Sequence, residues 1–186
     1  MSLSNTVGFD DGPFLPSHRG DVDLIGAVFC GLRLDGVLRT RVRRDGRNAT
    51  QRIAHLIEGS RFGRQLQLIL LQGIAVAGFN VIDIHTLSRH LGIPVLVVSR
   101  REPDRTAVRE ALLGKVPGGK RKWRLVERAG PSMKCGDLWI QSAGCPYGAA
   151  ASTIESLTVN GHIPEPLRTA HLIAGGISSL PTRKRV

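Results

Sequence analysis

The stretch LILLQGIAVAGFNVIDI, from Leu68 to Ile84, carries no charged residue before Asp83 and decides the fold of this chain. An apolar run without alternation is typical of a parallel strand that helices cover on both faces, so we predict a central strand over Leu66–Leu71. Gln72 follows that strand directly. An amide at the tip of a buried strand marks the edge of the sheet where a functional site is expected.

The other apolar runs give the order of the elements. Before the central strand, NTVGFDD, DLIGAVFCG and VLRTRVRRDG predict three strands, the last two paired as an antiparallel hairpin, and a helix follows them. After it we predict a helix, a strand, a helix, two short strands and two helices, with GGKRKWRLVERAG as a basic loop leading into the first short strand. This order predicts a ribonuclease H-like α/β fold, with one mixed sheet, helices on both faces, and parallel first and fourth strands.

Composition limits the class of protein. A chain of 186 residues suits a single domain, which we place at residues 1–178, before a basic tail at residues 179–186. The formal net charge of +11 favours nucleic acid as a partner, although a basic surface without a specific ligand would carry the same charge. Three cysteines without a CxxC spacing argue against a disulfide framework or a zinc knuckle and favour a reducing cytoplasm. The uncharged stretch around Gln72 is too short and too polar to span a membrane.

Acidic residues near strand ends are the candidates for metal binding. Two magnesium ions about 3.5–4 Å apart, held by carboxylates of neighbouring strands, can activate water and stabilise the transition state of phosphodiester cleavage. Asp10 ends the first strand and is the best-placed ligand, with Asp11 as a helper and Asp45 as a further candidate. Each lies at or beside a glycine-containing turn, where Asp is also favoured for structural reasons. The corresponding end of the fourth strand carries Gln72, an uncharged and therefore weaker ligand.

Several motifs resemble one family. GFDDGPF, AGFNVIDI followed by IPVLVVSR, and HIPEPLRTAHLIA occur in the order found in the archaeal endonuclease dU family, which is distantly similar to endonuclease V. The resemblance runs from about residue 5 to residue 177. It implies a ribonuclease H-like fold and cleavage of DNA or RNA near deaminated bases, with magnesium or manganese as cofactor. It also implies that Asp10 is the catalytic aspartate of the first strand.

Two positions depart from the family pattern. Gln72 stands where the resemblance leads us to expect the aspartate of an LDG motif, and Asn48 in DGRNAT stands where it leads us to expect an acid. Each amide keeps the size of the acid but removes its charge. The nuclease reading therefore competes with that of a non-catalytic nucleic-acid-binding member of the same fold. A small-molecule enzyme or assembly subunit with an incidental basic face is the third possibility.

The last helix offers further candidates. Glu165 and His171, in PEPLRTAHL, can supply a last ligand or a proton donor, and Arg168 between them can hold a phosphate. Compensation of the helix dipole is the alternative role of Glu165, and His171 is alternatively a half-buried histidine with a satisfied hydrogen bond.

A nucleic-acid surface is the remaining prediction. Alternating arginines of the third strand share one of its faces and can contact phosphates: Arg39, Arg41 and Arg43. The basic loop contributes Lys120, Lys122 and Trp123. Trp123 can stack on an unpaired base, or it is partly core. Phe79 can wedge beside a flipped base, as enzymes acting on deaminated bases require.

Overall fold

The computed structural model describes residues 3–159 and 161–178. Its strands are, in chain order, β1 Asn5–Asp11, β2 Asp21–Cys30, β3 Arg33–Arg43, β4 Leu68–Gln72, β5 Ala75–Val76, β6 Asn80–Val81, β7 Val95–Ser99, β8 Met133–Cys135 and β9 Leu138–Ala143. Its helices are α1 Ala49–Glu58, α2 Ile84–Leu91, α3 Arg105–Lys115, α4 Gly119–Arg128, α5 Tyr147–Ser156 and α6 Glu165–Gly176. The predicted tail at residues 179–186 lies outside the described residues.

A seven-stranded mixed sheet, in the order β3-β2-β1-β4-β7-β9-β8, forms the centre of the molecule. The first three strands form an antiparallel meander and β4 runs parallel to β1, as predicted. On its other side, β4 runs parallel to β7. The central strand occupies Leu68–Gln72 rather than Leu66–Leu71. The chain is still turning at Leu66, because its amide donates to the carbonyl oxygen of Phe62.

Helices cover both faces of this sheet, and the alternation of side chains along β4 shows how. Ile69 and Leu71 pack in the cluster that contains buried residues of α1 and α2. Leu68 and Leu70 pack in a second cluster with residues of α5 and α6. A strand buried on both faces therefore has an unbroken apolar run, as the sequence predicted.

Gly8 in β1 positions α6. A Cβ at this glycine would lie 2.4 Å from the carbonyl carbon of Pro166, closer than real Cβ contacts. The first turn of α6 therefore rests directly on the backbone of β1. This close approach brings the rest of α6 over the carboxyl end of the strand.

The prediction of a basic loop over GGKRKWRLVERAG is wrong, because residues Gly119–Arg128 of this segment form helix α4. Lys122, Val126 and Ala129 recur at helical spacing and are all buried, so one face of the segment packs against the protein. The charged side chains between them concealed this period. The short strand expected directly after the loop begins only at Met133. The small β5–β6 hairpin was not anticipated either.

None of the helices within residues 3–159 and 161–178 combines the length and the apolar composition needed to cross a membrane.

Candidate active site

The site begins with the pair formed by Asp10 and His171. Asp10, in β1, is 0% exposed, and its Oδ2 lies 2.7 Å from Nδ1 of His171 in α6. Its Oδ1 accepts a hydrogen bond of 3.0 Å from the backbone N–H of Asp11. An ionised carboxylate only accepts, so Nδ1 of His171 donates, and Nε2 becomes the nitrogen that can exchange a proton. The His171 side chain is 33% exposed, which gives solvent access to this pair.

Gln72 lies next to Asp10. The parallel register pairs Phe9 with Leu71, so one residue further along the two strands Asp10 and Gln72 stand side by side. Both side chains project to the face that carries α6, because alternate residues of β4 pack against that helix. The predicted meeting of the two strand ends is therefore present, and Gln72 is half-buried there.

The exposed side of α6 adds two charged residues. Glu165 and Arg168 form an ion pair of 3.2 Å, with side-chain exposures of 14% and 46%. Steps of three residues along a helix keep side chains adjacent, so Arg168 lies between Glu165 and His171 on the helix surface. Arg168 thus lies one helical turn before His171, with its guanidinium bonded to Glu165.

Asp11 and Asp45 hold a turn. Asp11 Oδ2 accepts from the backbone N–H of Ala77 at 3.0 Å, and Asp45 Oδ1 accepts from that of Phe79 at 2.9 Å. The turn between β5 and β6 has positive φ at Ala77 and at Gly78, with values of 48° and 83°. These two carboxylates stabilise a strained turn, and successive residues of β1 place Asp10 and Asp11 on opposite faces of the sheet.

The side chain of Asn48 connects the end of β3 to Asn80 of β6. Asn48 occupies the N-cap position of α1, but its side chain makes no bond to the helix. Its Oδ1 accepts from the backbone N–H of Arg43 at 3.1 Å and from Nδ2 of Asn80 at 2.8 Å. The side-chain oxygen of Asn48 therefore has a structural role, because it accepts hydrogen bonds from both Arg43 and Asn80.

The oxygen donors at the ends of β1 and β4 limit what metal can bind. Among residues 3–159 and 161–178, no group of three or more His, Cys, Asp or Glu side chains is arranged to hold a metal ion. Magnesium often keeps several waters and binds one or two carboxylates together with substrate phosphate. The Asp10 carboxylate and the Gln72 carbonyl fit a single ion of that kind. They do not fit the two-ion centre that the sequence analysis expected.

The arginines of β3 share the sheet face of the Asp10–His171 pair. The register aligns Asp10 with Ile25 in β2 and Ile25 with Arg39 in β3, so their side chains project to one face. Asp23 binds Arg39 at 3.0 Å, and its hydrogen bond and charge raise the pKa of that guanidinium. Two acids, Asp21 and Asp23, thus partly balance three exposed arginines, Arg39, Arg41 and Arg43.

The residues predicted to lie on the basic loop differ in their exposure to solvent. Lys120 is exposed, whereas Lys122 is only 5% exposed and donates from Nζ to the carbonyl oxygen of Asp45 at 2.5 Å. Burial lowers the pKa of Lys122, and the charge of Asp45 partly opposes this shift. Trp123 and Phe79 pack against a small cluster built around Val81, Leu112 and Val126. Both aromatic rings are partly core, which was the alternative for Trp123.

The fold is the ribonuclease H-like fold of endonuclease V. The structure of endonuclease V from Ciona intestinalis, in complex with a 23mer DNA containing an inosine followed by a ribo-adenosine, has a TM-score of 0.59. The match covers 93% of this chain and 86% of that chain at 15% identity, which establishes the shared fold.

The chain belongs to the endonuclease dU family, whose model matches residues 3–178. The UPF0215 protein of Deinococcus radiodurans is 51% identical over 176 residues, covering 95% of this chain and 90% of its relative. The UPF0215 protein of Methanothermobacter thermautotrophicus is 45% identical over 176 residues, covering 92% and 86%. A protein of unknown function from Archaeoglobus fulgidus has a crystal structure with a TM-score of 0.88 and 33% identity, covering 95% and 99%.

Proposed function

We propose that this protein is an endonuclease that cleaves DNA or RNA at or near deaminated bases, with Asp10 and His171 at its reaction centre. The observation that carries the proposal is the 2.7 Å contact between the buried Asp10 carboxylate and the half-exposed His171 ring. Family membership supports the reaction class. The inosine-containing DNA bound to the Ciona endonuclease V supports the choice of substrate.

His171 is the proton carrier in this mechanism. Asp10 holds Nδ1–H of the ring, which fixes the tautomer and leaves Nε2 able to take a proton from attacking water or to give one to the leaving oxygen. Because Asp10 is fully buried, its charge acts on the ring with little screening by solvent. General acid–base catalysis of this kind contributes about 10²–10⁴-fold to a rate.

Positive charge next to this pair positions the substrate. Arg168 can bind the oxygens of the reacting phosphate, and Glu165 orients its guanidinium. The arginines of β3 lie two strands away from β1, at about 4.8 Å per strand, and can bind neighbouring phosphates of the same chain.

A divalent cation, magnesium or manganese, would be held by the Asp10 carboxylate and the Gln72 carbonyl, with water and substrate phosphate completing its shell. When bound, it supplies Lewis-acid polarisation of a phosphoryl oxygen. Gln72 brings no charge, so we expect the protein alone to bind the ion weakly.

The same donor set favours one competing function, nucleic-acid binding without cleavage. A centre with a single carboxylate and an amide has lost the charge that the family pattern leads us to expect at the end of β4. This second candidate keeps the arginines of β3 and Arg168 as binding residues and gives Asp10 and His171 a structural role.

Cleavage assays separate the two candidates. End-labelled oligonucleotides carrying one uracil, hypoxanthine or xanthine, and an unmodified counterpart, are incubated with magnesium or manganese. The nuclease predicts a break near the modified base that the Asp10→Asn variant does not produce. Binding of the same oligonucleotides without a break supports the second candidate. If the protein neither binds nor cleaves these oligonucleotides, the result contradicts both candidate functions.

A further inference from the structure

A cavity of about 450 Å³ lies between α1, α2 and α4. These helices border the sheet face opposite α6, because buried residues of α1 and α2 pack with Ile69 and Leu71. The cavity is therefore separated by the sheet from the Asp10–His171 pair. Its volume lies in the range of about 300–1,000 Å³ that is usual for small-molecule sites.

The walls of this cavity are cationic. Arg47 precedes α1, and Arg121 and Lys122 come from α4. Two histidines, His55 and His90, also line the cavity, and Nε2 of His90 is paired with Oε1 of Glu58 at 2.7 Å. Lys122 is buried and its Nζ uses one of its three donors on the carbonyl oxygen of Asp45, so two further donors remain for a ligand or water.

Asp83, a carboxylate that also lines the cavity, is already compensated. It caps α2 through the backbone N–H of Thr86 at 2.9 Å and also pairs with Arg128. Burial alone would raise the pKa of Asp83, but the bonds from Thr86 and Arg128 lower it overall. Asp83 therefore stays ionised with its own partners, and the positive charges of Arg47, Arg121 and Lys122 dominate the cavity.

The floor of the cavity is apolar. Ala54 of α1, Val81 of β6, Leu87 of α2 and Leu125 of α4 line it. A planar ring can pack on such a floor while an attached anion meets the basic walls. A membrane surface or a bulky polyanion would contact a convex or flat patch and would not enter a concave site of this size.

We propose that this cavity binds a nucleotide, with its phosphate on Arg47 and Arg121 and its base on the apolar floor. This site is distinct from the reaction centre of the proposed nuclease. The nucleotide can be a free molecule or the phosphorylated end of a nucleic-acid strand, since both carry the same recognisable groups.

Titration calorimetry with AMP, adenosine and inorganic phosphate tests the site. AMP is expected to bind at least about tenfold more tightly than adenosine, because adenosine lacks the charge-assisted hydrogen bonds. Arg121→Glu and, from the opposite wall, Arg47→Glu should each weaken AMP binding at least about tenfold. Arg124→Glu is the matched control: it makes the same change of charge on an exposed residue of α4 that does not line the cavity.

Two results would overturn the proposal. One is the absence of AMP binding up to about 10 mM, and the other is an equal loss in Arg121→Glu and Arg124→Glu, which would indicate only general charge attraction. Asp10→Asn should bind AMP normally, so failure of the proposed cleavage activity and failure of this site are distinguishable. Competition by a 5′-phosphorylated but not by an unphosphorylated oligonucleotide assigns the ligand to a strand end. If neither oligonucleotide competes with AMP, the ligand of the cavity is the free nucleotide.

Discussion

The ammonium of Lys122 in α4 lies 2.5 Å from the carbonyl oxygen of Asp45, in the turn that follows β3. Asp45 in turn accepts from Phe79 and donates from its backbone N–H to the carbonyl oxygen of Ala77 at 2.9 Å. Ala77 donates to Asp11, whose own N–H donates to Asp10. A chain of hydrogen bonds thus connects the buried ammonium of Lys122, the turn between β5 and β6 and the carboxylate of Asp11 to Asp10 in the candidate reaction centre.

Replacing Gly78 should destabilise this turn. Gly78 has a φ of 83°, and a Cβ there would lie 2.4 Å from Asp45 Oδ1. Gly78→Ala is expected to cost about 2–4 kcal/mol of unfolding free energy, from backbone strain and loss of the bond between Asp45 and Phe79. Urea denaturation measures the change. Gly148→Ala is the control, because a Cβ at Gly148 in α5 meets nothing within 4 Å and should leave stability equal or higher. Equal effects of the two substitutions would contradict this account of the turn.

Asp83 should make the stability of the protein depend on pH. Its pKa is lowered in the folded state, so its stabilising contribution is complete above the ordinary pKa of Asp and is lost as pH falls through the folded value. Asp83→Asn is expected to lower the unfolding free energy by about 0.5–2 kcal/mol at pH 7, because the amide can still cap the helix but loses the charge that interacts with the helix dipole and with Arg128. The difference from wild type should begin to shrink below about pH 4, where the Asp83 carboxyl of the unfolded chain starts to be protonated, and should disappear only below the lowered pKa of the folded state. Urea titrations at pH 7 and pH 3 measure it, and a difference that stays constant would exclude the ionised cap.

The arginines of β3 should set the salt dependence of nucleic-acid binding. Replacing Arg39, Arg41 or Arg43 by Gln should weaken binding to any sequence and reduce the salt slope by about one for each phosphate that is no longer neutralised. Fluorescence anisotropy between about 50 and 200 mM salt gives this slope. Arg33→Gln is a suitable control, since Arg33 lies at the other end of β3 and pairs with Asp35 at 2.9 Å. Identical slopes for wild type and Arg41→Gln would place the phosphates elsewhere.

The sheet and its covering helices could be predicted because their signals are local. The unbroken apolar run ending at Leu71 indicated a parallel strand buried on both faces, and the arginine alternation from Arg39 to Arg43 indicated a strand with one exposed face.

Other features depended on contacts that no local pattern reveals. Helix α4 was missed because Lys122, a charged residue, occupies a buried position of its apolar face. Asp11 and Asp45 were grouped with Asp10 as metal ligands, yet their carboxylates bond to backbone N–H groups of a distant turn. The glycine in AGFN was the available signal for that turn, since glycine supplies positive φ in short hairpin loops. The meeting of Asp10 and His171, which are 161 positions apart, follows from the close packing of α6 on Gly8.

Gln72→Asp should strengthen the candidate metal site. A second carboxylate beside Asp10 raises the affinity for magnesium, because hard cations favour charged oxygen. We expect tighter magnesium binding by calorimetry and faster cleavage of deaminated-base oligonucleotides. Asn48→Asp is an informative companion, since the contacts of Asn48 with Arg43 and Asn80 lie away from the donors and its effect on magnesium should be small. Unchanged magnesium affinity with a lower melting temperature in Gln72→Asp would show that the amide serves only the fold.

The most direct test of the reaction centre is the single-turnover cleavage rate of His171→Gln on an oligonucleotide with one deaminated base. The glutamine keeps a hydrogen-bond donor for Asp10 but cannot carry a proton at neutral pH, so the rate should fall by about 10²–10⁴-fold while substrate binding stays within about threefold. His162→Gln is the matched control, because His162 is exposed and pairs with Asp137 at 2.8 Å. A rate for His171→Gln within about threefold of wild type, with the fold intact, would contradict the assignment of Asp10 and His171 as the reaction centre.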